Sequence, residues 1–171
     1  VMEMDAGLDT GDIYRRVVVP IDGLNAGMAT EKFAVEGAYA VEQVASALAA
    51  GTAKPVPQRG ESTYAAKIEV AEAKVGAEMT SSDFLRRVRA FTPRPGAYLV
   101  SADGRFKVLE ASESAKRVPV GRLELATSGV VLGVQNGSVL LERIQAPGRK
   151  QMNAADWARG LQVPVEEMQW L

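Results

Sequence analysis

The sequence predicts an α/β segment followed by a small β-rich domain, either a barrel or a sandwich. Three observations lead there. Residues 13 to 49 read as a strand, a turn and a long helix. Residues 52 to 63 hold two prolines, a glycine and almost nothing large and apolar. Residues 97 to 144 carry short strand patterns separated by turn signals.

Residues 1 to 4 are mostly apolar and run into Asp5-Ala6-Gly7-Leu8-Asp9-Thr10-Gly11-Asp12, whose glycines and aspartates mark a loop. Residues 13 to 21 are rich in valine and read as a strand, closed by Pro20 and the Asp22-Gly23 turn. A strand end followed at once by such a loop leads us to expect further sequence upstream of Val1. Residues 30 to 49 are helical in pattern, with Phe33, Gly37, Val41, Val44 and Leu48 forming one apolar stripe. Thr30 or Asn25 is the expected cap, Gly51 the expected stop, and Gly37 a point where the helix can divide.

The proline-bearing stretch, with Pro55 and Pro57, reads as an extended linker, and residues 64 to 75 are amphipathic but ambiguous. A second helix is expected over residues 80 to 91, capped by Ser81 or Ser82. Its buried face is Phe84, Leu85, Val88 and Phe91, with Arg86, Arg87 and Arg89 mostly off it. Residues 92 to 96, Thr-Pro-Arg-Pro-Gly, stop that helix. Strands are expected at 97–101, 105–111, 122–126, 129–134 and 138–144. Ala102-Asp103-Gly104 and Asn136-Gly137 supply the hairpin signals. A short helix over 153–161, capped by Asn153, closes the pattern, and Trp157 and Trp170 read as packing residues.

Composition narrows the chemistry. The 171 residues contain no cysteine and no histidine, so disulfides, thiolate nucleophiles, imidazole bases and the commonest metal ligands are excluded from this sequence. Asp5, Asp9 and Asp12 lack the later glutamate of a calcium loop, and no metal is expected. No apolar run approaches the roughly 20 residues of a membrane span, nor does a secretory signal appear, so the expected location is the cytoplasm. Charge is unevenly spread: residues 1 to 53 hold eight acidic and three basic side chains, whereas residues 80 to 159 hold seven acidic and 13 basic ones. That asymmetry fits either a polyanion-binding second half or a chance clustering of solvated charges.

The string MDAGLDTGDI at residues 4 to 13 is, by its residues alone, an acidic loop at a strand end or a plain turn. It resembles the loop that carries the catalytic aspartate in enzymes using 10-formyltetrahydrofolate. TYAAKI at 63–68, RVRAFTPRPGA at 87–97 and QAPGRKQMNAADWARG at 145–160 follow in the order found in methionyl-tRNA formyltransferases. The resemblance covers nearly the whole chain. It implies the end of a Rossmann-like formyltransferase catalytic domain over residues 1–53, a linker over 54–69 and an OB-like tRNA-binding barrel over 70–171.

The same resemblance implies site residues. Asp9 would be the catalytic aspartate, working beside an asparagine and a histidine that family members carry earlier in their sequences. Asp5, Ala6, Gly7 and Leu8 would line the pocket for 10-formyltetrahydrofolate, largely through main chain. Lys67, Arg149 and Lys150 would contact the phosphates of initiator methionyl-tRNA, with Arg86, Arg87, Arg89 and Arg94 as weaker candidates. A monomer is expected. Because the partner histidine and asparagine are not in residues 1–171, the chain by itself is expected to be inactive. Two departures stand out: family members often have tryptophan where Arg94 sits, and an Ile-Asp-Trp string near Val75-Gly76-Ala77. The alternative readings are an RNA-binding module without catalysis and a formyltransferase acting on a sugar amine. The APGRK turn and the basic bias after residue 80 favour tRNA over a sugar nucleotide.

Overall fold

Helix α1 (Ala26–Ala49) dominates the first of two units into which the chain divides, Val1–Lys67 and Ile68–Leu171, in a computed structural model that describes residues 1–101 and 104–168. It starts at Asn25, whose side-chain oxygen accepts from the Met28 amide at 2.9 Å and satisfies one of the helix's orphan donors. Thr30 is not the cap; its hydroxyl donates back to the Ala26 carbonyl inside the helix. Gly37 does not divide the helix, which runs unbroken for 24 residues. The expected apolar stripe is only partly buried: Val44 is, together with Ala29 and Ala40, but Phe33, Val41 and Leu48 stay about half exposed. Outside α1 the described chain of this unit is irregular apart from isolated bridges, so no sheet is there to cover the helix's apolar side.

The strand expected over residues 13–21 is not formed. Ile13 alone makes ladder contacts, as isolated antiparallel bridges to Met2 and Val56. Strand structure is a property of pairing, and the run Val17-Val18-Val19 has no neighbour to pair with among the described residues. The linker expectation also changes: Val56 exchanges both main-chain hydrogen bonds with Ile13, at 2.8 and 3.0 Å, so its first part is tied down.

The second unit follows the sequence closely. A 3₁₀ turn (Val70–Ala73) resolves the ambiguous segment and leads to a parallel bridge between Lys74 and Tyr98. Helix α2 (Ser81–Phe91) is capped by Thr80, not by either serine, the Thr80 hydroxyl accepting from the Asp83 amide at 3.1 Å. Strands β1 (Ala97–Ser101), β2 (Gly104–Glu113), β3 (Leu123–Leu125), β4 (Val130–Val134), β5 (Gly137–Gln145) and β6 (Met152–Asn153) form one antiparallel sheet in the order β1-β2-β5-β4-β3, with β6 added beside β5. Among the described residues β3 does not pair with β1, so the sheet is open. Helix α3 (Ala154–Arg159), capped by Asn153 as expected, and a 3₁₀ turn (Val165–Glu167) complete the unit. Of the first hairpin signal, Ala102 and Asp103 lie outside the described residues, as does Trp170.

The core of this unit joins Phe84 and Val88 of α2 to Leu99, Phe106, Val108, Leu132, Leu141 and Ile144 of the sheet. Burying a side chain of this size contributes on the order of 2–3 kcal/mol. Val75 sits fully inside this cluster, together with Phe84, Leu85 and Val88 of α2. β4 is buried throughout: Val130, Leu132 and Val134 belong to the core, and the 118–121 segment crosses the strand at Gly133. Gly133 permits that crossing: a Cβ there would lie 2.0 Å from the Pro119 carbonyl oxygen. Trp157 packs as expected, its ring centroid 4.7 Å from that of Phe106.

Candidate functional site

Two groups of residues carry chemistry, one in each unit. In the first, the acidic loop is closed at its base by the Met2–Ile13 bridge and by the Glu3 amide donating to the Asp12 carbonyl at 2.9 Å. Asp5 is spent on the loop itself, its carboxylate accepting from the Ala6 amide at 2.7 Å and, at 3.5 Å, from the Thr10 hydroxyl. Gly11 is buried at the neck, where a Cβ would stand 2.1 Å from the Glu3 carbonyl oxygen. At the base, the Tyr14 hydroxyl donates to the Glu3 carboxylate, and this bond to a charged acceptor raises the phenol above its ordinary pKa.

Asp9 has a positive φ of 57°, alone among the described non-glycine residues. Left-handed backbone at an L-residue is tolerated best by Asn and Asp. Here it is enforced by Gln58, whose Nε2 donates to the Asp9 carbonyl at 2.8 Å and to the Gly11 carbonyl at 2.7 Å. Asp9 is exposed, and its carboxylate has no ion-pair partner among the described residues. The loop therefore brings together Asp5, Ala6, Gly7, Leu8 and Asp9 on an exposed crest, with Met4 and Leu8 almost fully open to solvent. Among the described residues no cluster of acidic side chains gathers that would hold a metal ion. Gln58 is the residue that sequence reasoning missed.

In the second unit, Arg149 and Lys150 are adjacent and exposed on the turn between β5 and β6. The turn is fixed by the Arg149 amide donating to the Ala146 carbonyl at 3.1 Å and by Gln145 Nε2 donating to the Arg149 carbonyl at 2.9 Å. Neither cation has an acidic partner among the described residues. Lys67 is also exposed but is the last residue of the first unit, so only Arg149 and Lys150 are brought together within one unit. The arginines of α2 divide. Arg86 pairs with Asp83 at 2.7 Å, and Arg87 is turned to structural use, donating to the Glu72 and Lys74 carbonyls and pinning the preceding segment to the helix. Arg89 and Arg94 remain exposed.

No helix among the described residues is long and apolar enough to cross a membrane. The family description "Formyl transferase, C-terminal domain" matches residues 67–162. The methionyl-tRNA formyltransferase of Rhodococcus erythropolis is 36% identical over 165 residues, which is 95% of this chain and 54% of that protein. The chain thus spans about half the length of the curated relatives it matches. Among solved structures, HypX from Aquifex aeolicus aligns with a TM-score of 0.72 at 20% identity, over 94% of this chain and 30% of that one. HypX solved in complex with tetrahydrofolic acid aligns with a TM-score of 0.64 at 19% identity, over 91% of this chain and 28% of that one. At such identities these structures speak for the fold alone. A matched domain that fills more than half of the chain, on a sheet and helices that match its extent, means that this chain belongs to the formyl transferase family and carries its C-terminal domain.

Proposed function

We propose that the chain takes part in transferring a formyl group from 10-formyltetrahydrofolate to the α-amine of initiator methionyl-tRNA, in a protein that works as a cytoplasmic monomer. Residues 1–53 are the end of a Rossmann-like catalytic domain, residues 54–69 a linker and residues 70–171 an OB-like domain that grips the tRNA. The observation that carries this reading is the posture of Asp9, held left-handed by Gln58 with its carboxylate presented to solvent.

The loop suits a folate. Met4 and Leu8 offer uncovered apolar surface beside the main chain of Asp5, Ala6 and Gly7, and a flat ring is held by such a combination of apolar contact and close main chain. When bound, the folate supplies the formyl group. Asp9 supplies a fixed negative charge, which keeps an adjoining imidazole protonated and ready to stabilise an oxyanion. The same carboxylate helps carry away the proton that the attacking amine must lose. Since residues 1–171 contain no histidine, that imidazole is provided from elsewhere in the protein, and the 171-residue chain alone turns nothing over.

Arg149 and Lys150 support the second half of the reading. Two exposed cations on a stiff turn, without an acidic partner among the described residues, match phosphate oxygens, the dominant source of affinity for nucleic acid. Lys67 adds a third candidate contact. In the complete protein, Asp9→Asn is expected to slow formylation of initiator methionyl-tRNA by about a hundredfold or more without changing tRNA affinity. A variant with undiminished formylation would remove Asp9 from the mechanism.

A further inference from the structure

We infer that the second unit carries a pocket for one unpaired nucleobase of RNA, with the adjoining phosphate held by Arg149 and Lys150. The inference rests on the RNA-gripping reading above and deepens it by naming the part of the RNA that is seized. A cavity of about 310 Å³ opens between α3 and the β5–β6 turn, walled by Trp157, Pro147, Met152 and Leu161, floored by Phe106 and rimmed by Arg149. That volume lies at the small end of ligand pockets, roughly 300–1,000 Å³. It suits one flat ring and is too small for a helix or strand of a partner protein.

The chemistry of the walls is that of a stacking platform. Trp157 is backed by Phe106 in a tilted contact and is partly exposed toward the cavity. Aromatic faces beside cations are the recurring means of holding single-stranded nucleic acid: the ring takes the base and the cation takes the phosphate. Both parts are pre-positioned. Helix α3 is fixed by its Asn153 cap and by Arg159, which pairs with Asp156 at 2.8 Å and donates to the Thr127 carbonyl at 3.3 Å. Among the described residues the lining holds one carboxylate, Asp156, and it is the one paired with Arg159. Arg149 stands on the opposite rim, on a turn locked by Gln145.

The test uses the 171-residue chain and a fluorescein-labelled single-stranded hexaadenylate, read by anisotropy at low salt. A blunt RNA duplex and heparin serve as competitors, and initiator tRNA is measured in parallel. The expected result is that hexaadenylate binds, that unlabelled single strand competes better than duplex or heparin at equal charge, and that Trp157→Leu weakens binding about tenfold. Trp157→Phe, which keeps an aromatic face, should restore most of it. Leu161→Trp, which fills the cavity and leaves Trp157 in place, should weaken it comparably. If heparin competes as well as single strand and the Trp157 and Leu161 variants bind normally, the base pocket is refuted. In that case salt-sensitive tRNA binding that still depends on Arg149 and Lys150 leaves the broader RNA reading standing. Loss of tRNA and hexaadenylate binding alike, in a folded chain, would overturn both.

Discussion

The side-chain amide of Gln58 donates to the main-chain carbonyls of both Asp9 and Gly11, at 2.8 and 2.7 Å. One NH₂ group thus spends its two hydrogens on two acceptors of the same loop. Gln58 sits just beyond Val56, which is itself bridged to Ile13. The start of the linker is therefore part of the loop's scaffold and not a free spacer, so the site loop and the chain that leaves this unit are mechanically joined.

Replacing Gln58 should loosen the loop without unfolding α1. Gln58→Leu removes two exposed or partly buried hydrogen bonds, each contributing on the order of 1 kcal/mol. Gln58→Glu is expected to be worse, because it aims a carboxylate at two carbonyl oxygens. Hydrogen exchange and limited proteolysis across residues 5–12 check this: faster exchange in both variants, with α1 protection unchanged, is the expected pattern.

Gly11→Ala should open the neck of the same loop by a different route. Its added Cβ has only backbone to meet, at 2.1 Å from the Glu3 carbonyl oxygen, so no side-chain rotation relieves the clash. Overpacking of this kind costs about 1–3 kcal/mol. The Glu3–Asp12 hydrogen bond is the first to go, and the Tyr14–Glu3 bond follows it. Tyrosine titration reads the result: the Tyr14 phenol, held above its ordinary pKa by the Glu3 carboxylate, should fall back toward that value in Gly11→Ala. An unchanged Tyr14 titration would mean that the neck absorbs the methyl group.

The phosphate contacts proposed for Lys67, Arg149 and Lys150 make a salt-dependence prediction. Each contact to RNA contributes about 0.7–0.9 to the slope of log affinity against log salt. The triple alanine variant should therefore flatten that slope by roughly 2 to 3 for initiator tRNA, and Arg149→Ala with Lys150→Ala by roughly 1.5 to 2. A slope that does not change assigns the affinity elsewhere, with the exposed Arg89 and Arg94 as the next candidates.

What the sequence revealed differs between the units for a physical reason. In the second unit the strands, both helices and the Asn153 cap stand within a few residues of expectation, because turns and alternation are local and the sheet completes itself inside the unit. Even so, the β4–β5 turn holds Gln135 and Asn136, one residue earlier than the Asn136-Gly137 signal, since Gly137 pairs with Val134. Asn136 has a second duty there, accepting from the Ser81 amide at 2.8 Å, so the turn also steadies the start of α2. In the first unit the valine run and the α1 stripe misled, because strand and burial both depend on partners that a local pattern does not contain. The acidic loop was visible as a string, but its geometry was not: the donor that shapes it lies 49 residues from Asp9.

A last relationship ties the end of the second unit to its sheet. The Glu166 carboxylate, on the closing 3₁₀ turn, accepts from the Leu125 amide at the end of β3, at 3.1 Å. That bond is the main reason the carboxyl is held below its ordinary pKa, with its own backbone amide next and some opposition from desolvation. A lowered folded value means that the contribution is complete above the unfolded value of about 4.3 and fades as pH falls through the lowered one. At pH 7 this contribution is therefore fully present, and it is lost as the carboxyl takes up a proton, while Val165 of the same turn stays buried in the core. The Leu125 amide resonance should move with the Glu166 titration as the pH is taken from 7 to 3. Glu166→Gln, which keeps an acceptor oxygen but has no proton to gain, should leave the resonance flat while the sheet stays intact. A Leu125 amide that titrates equally in both proteins would show that another carboxyl, with Glu124 on the same strand the first suspect, governs this edge.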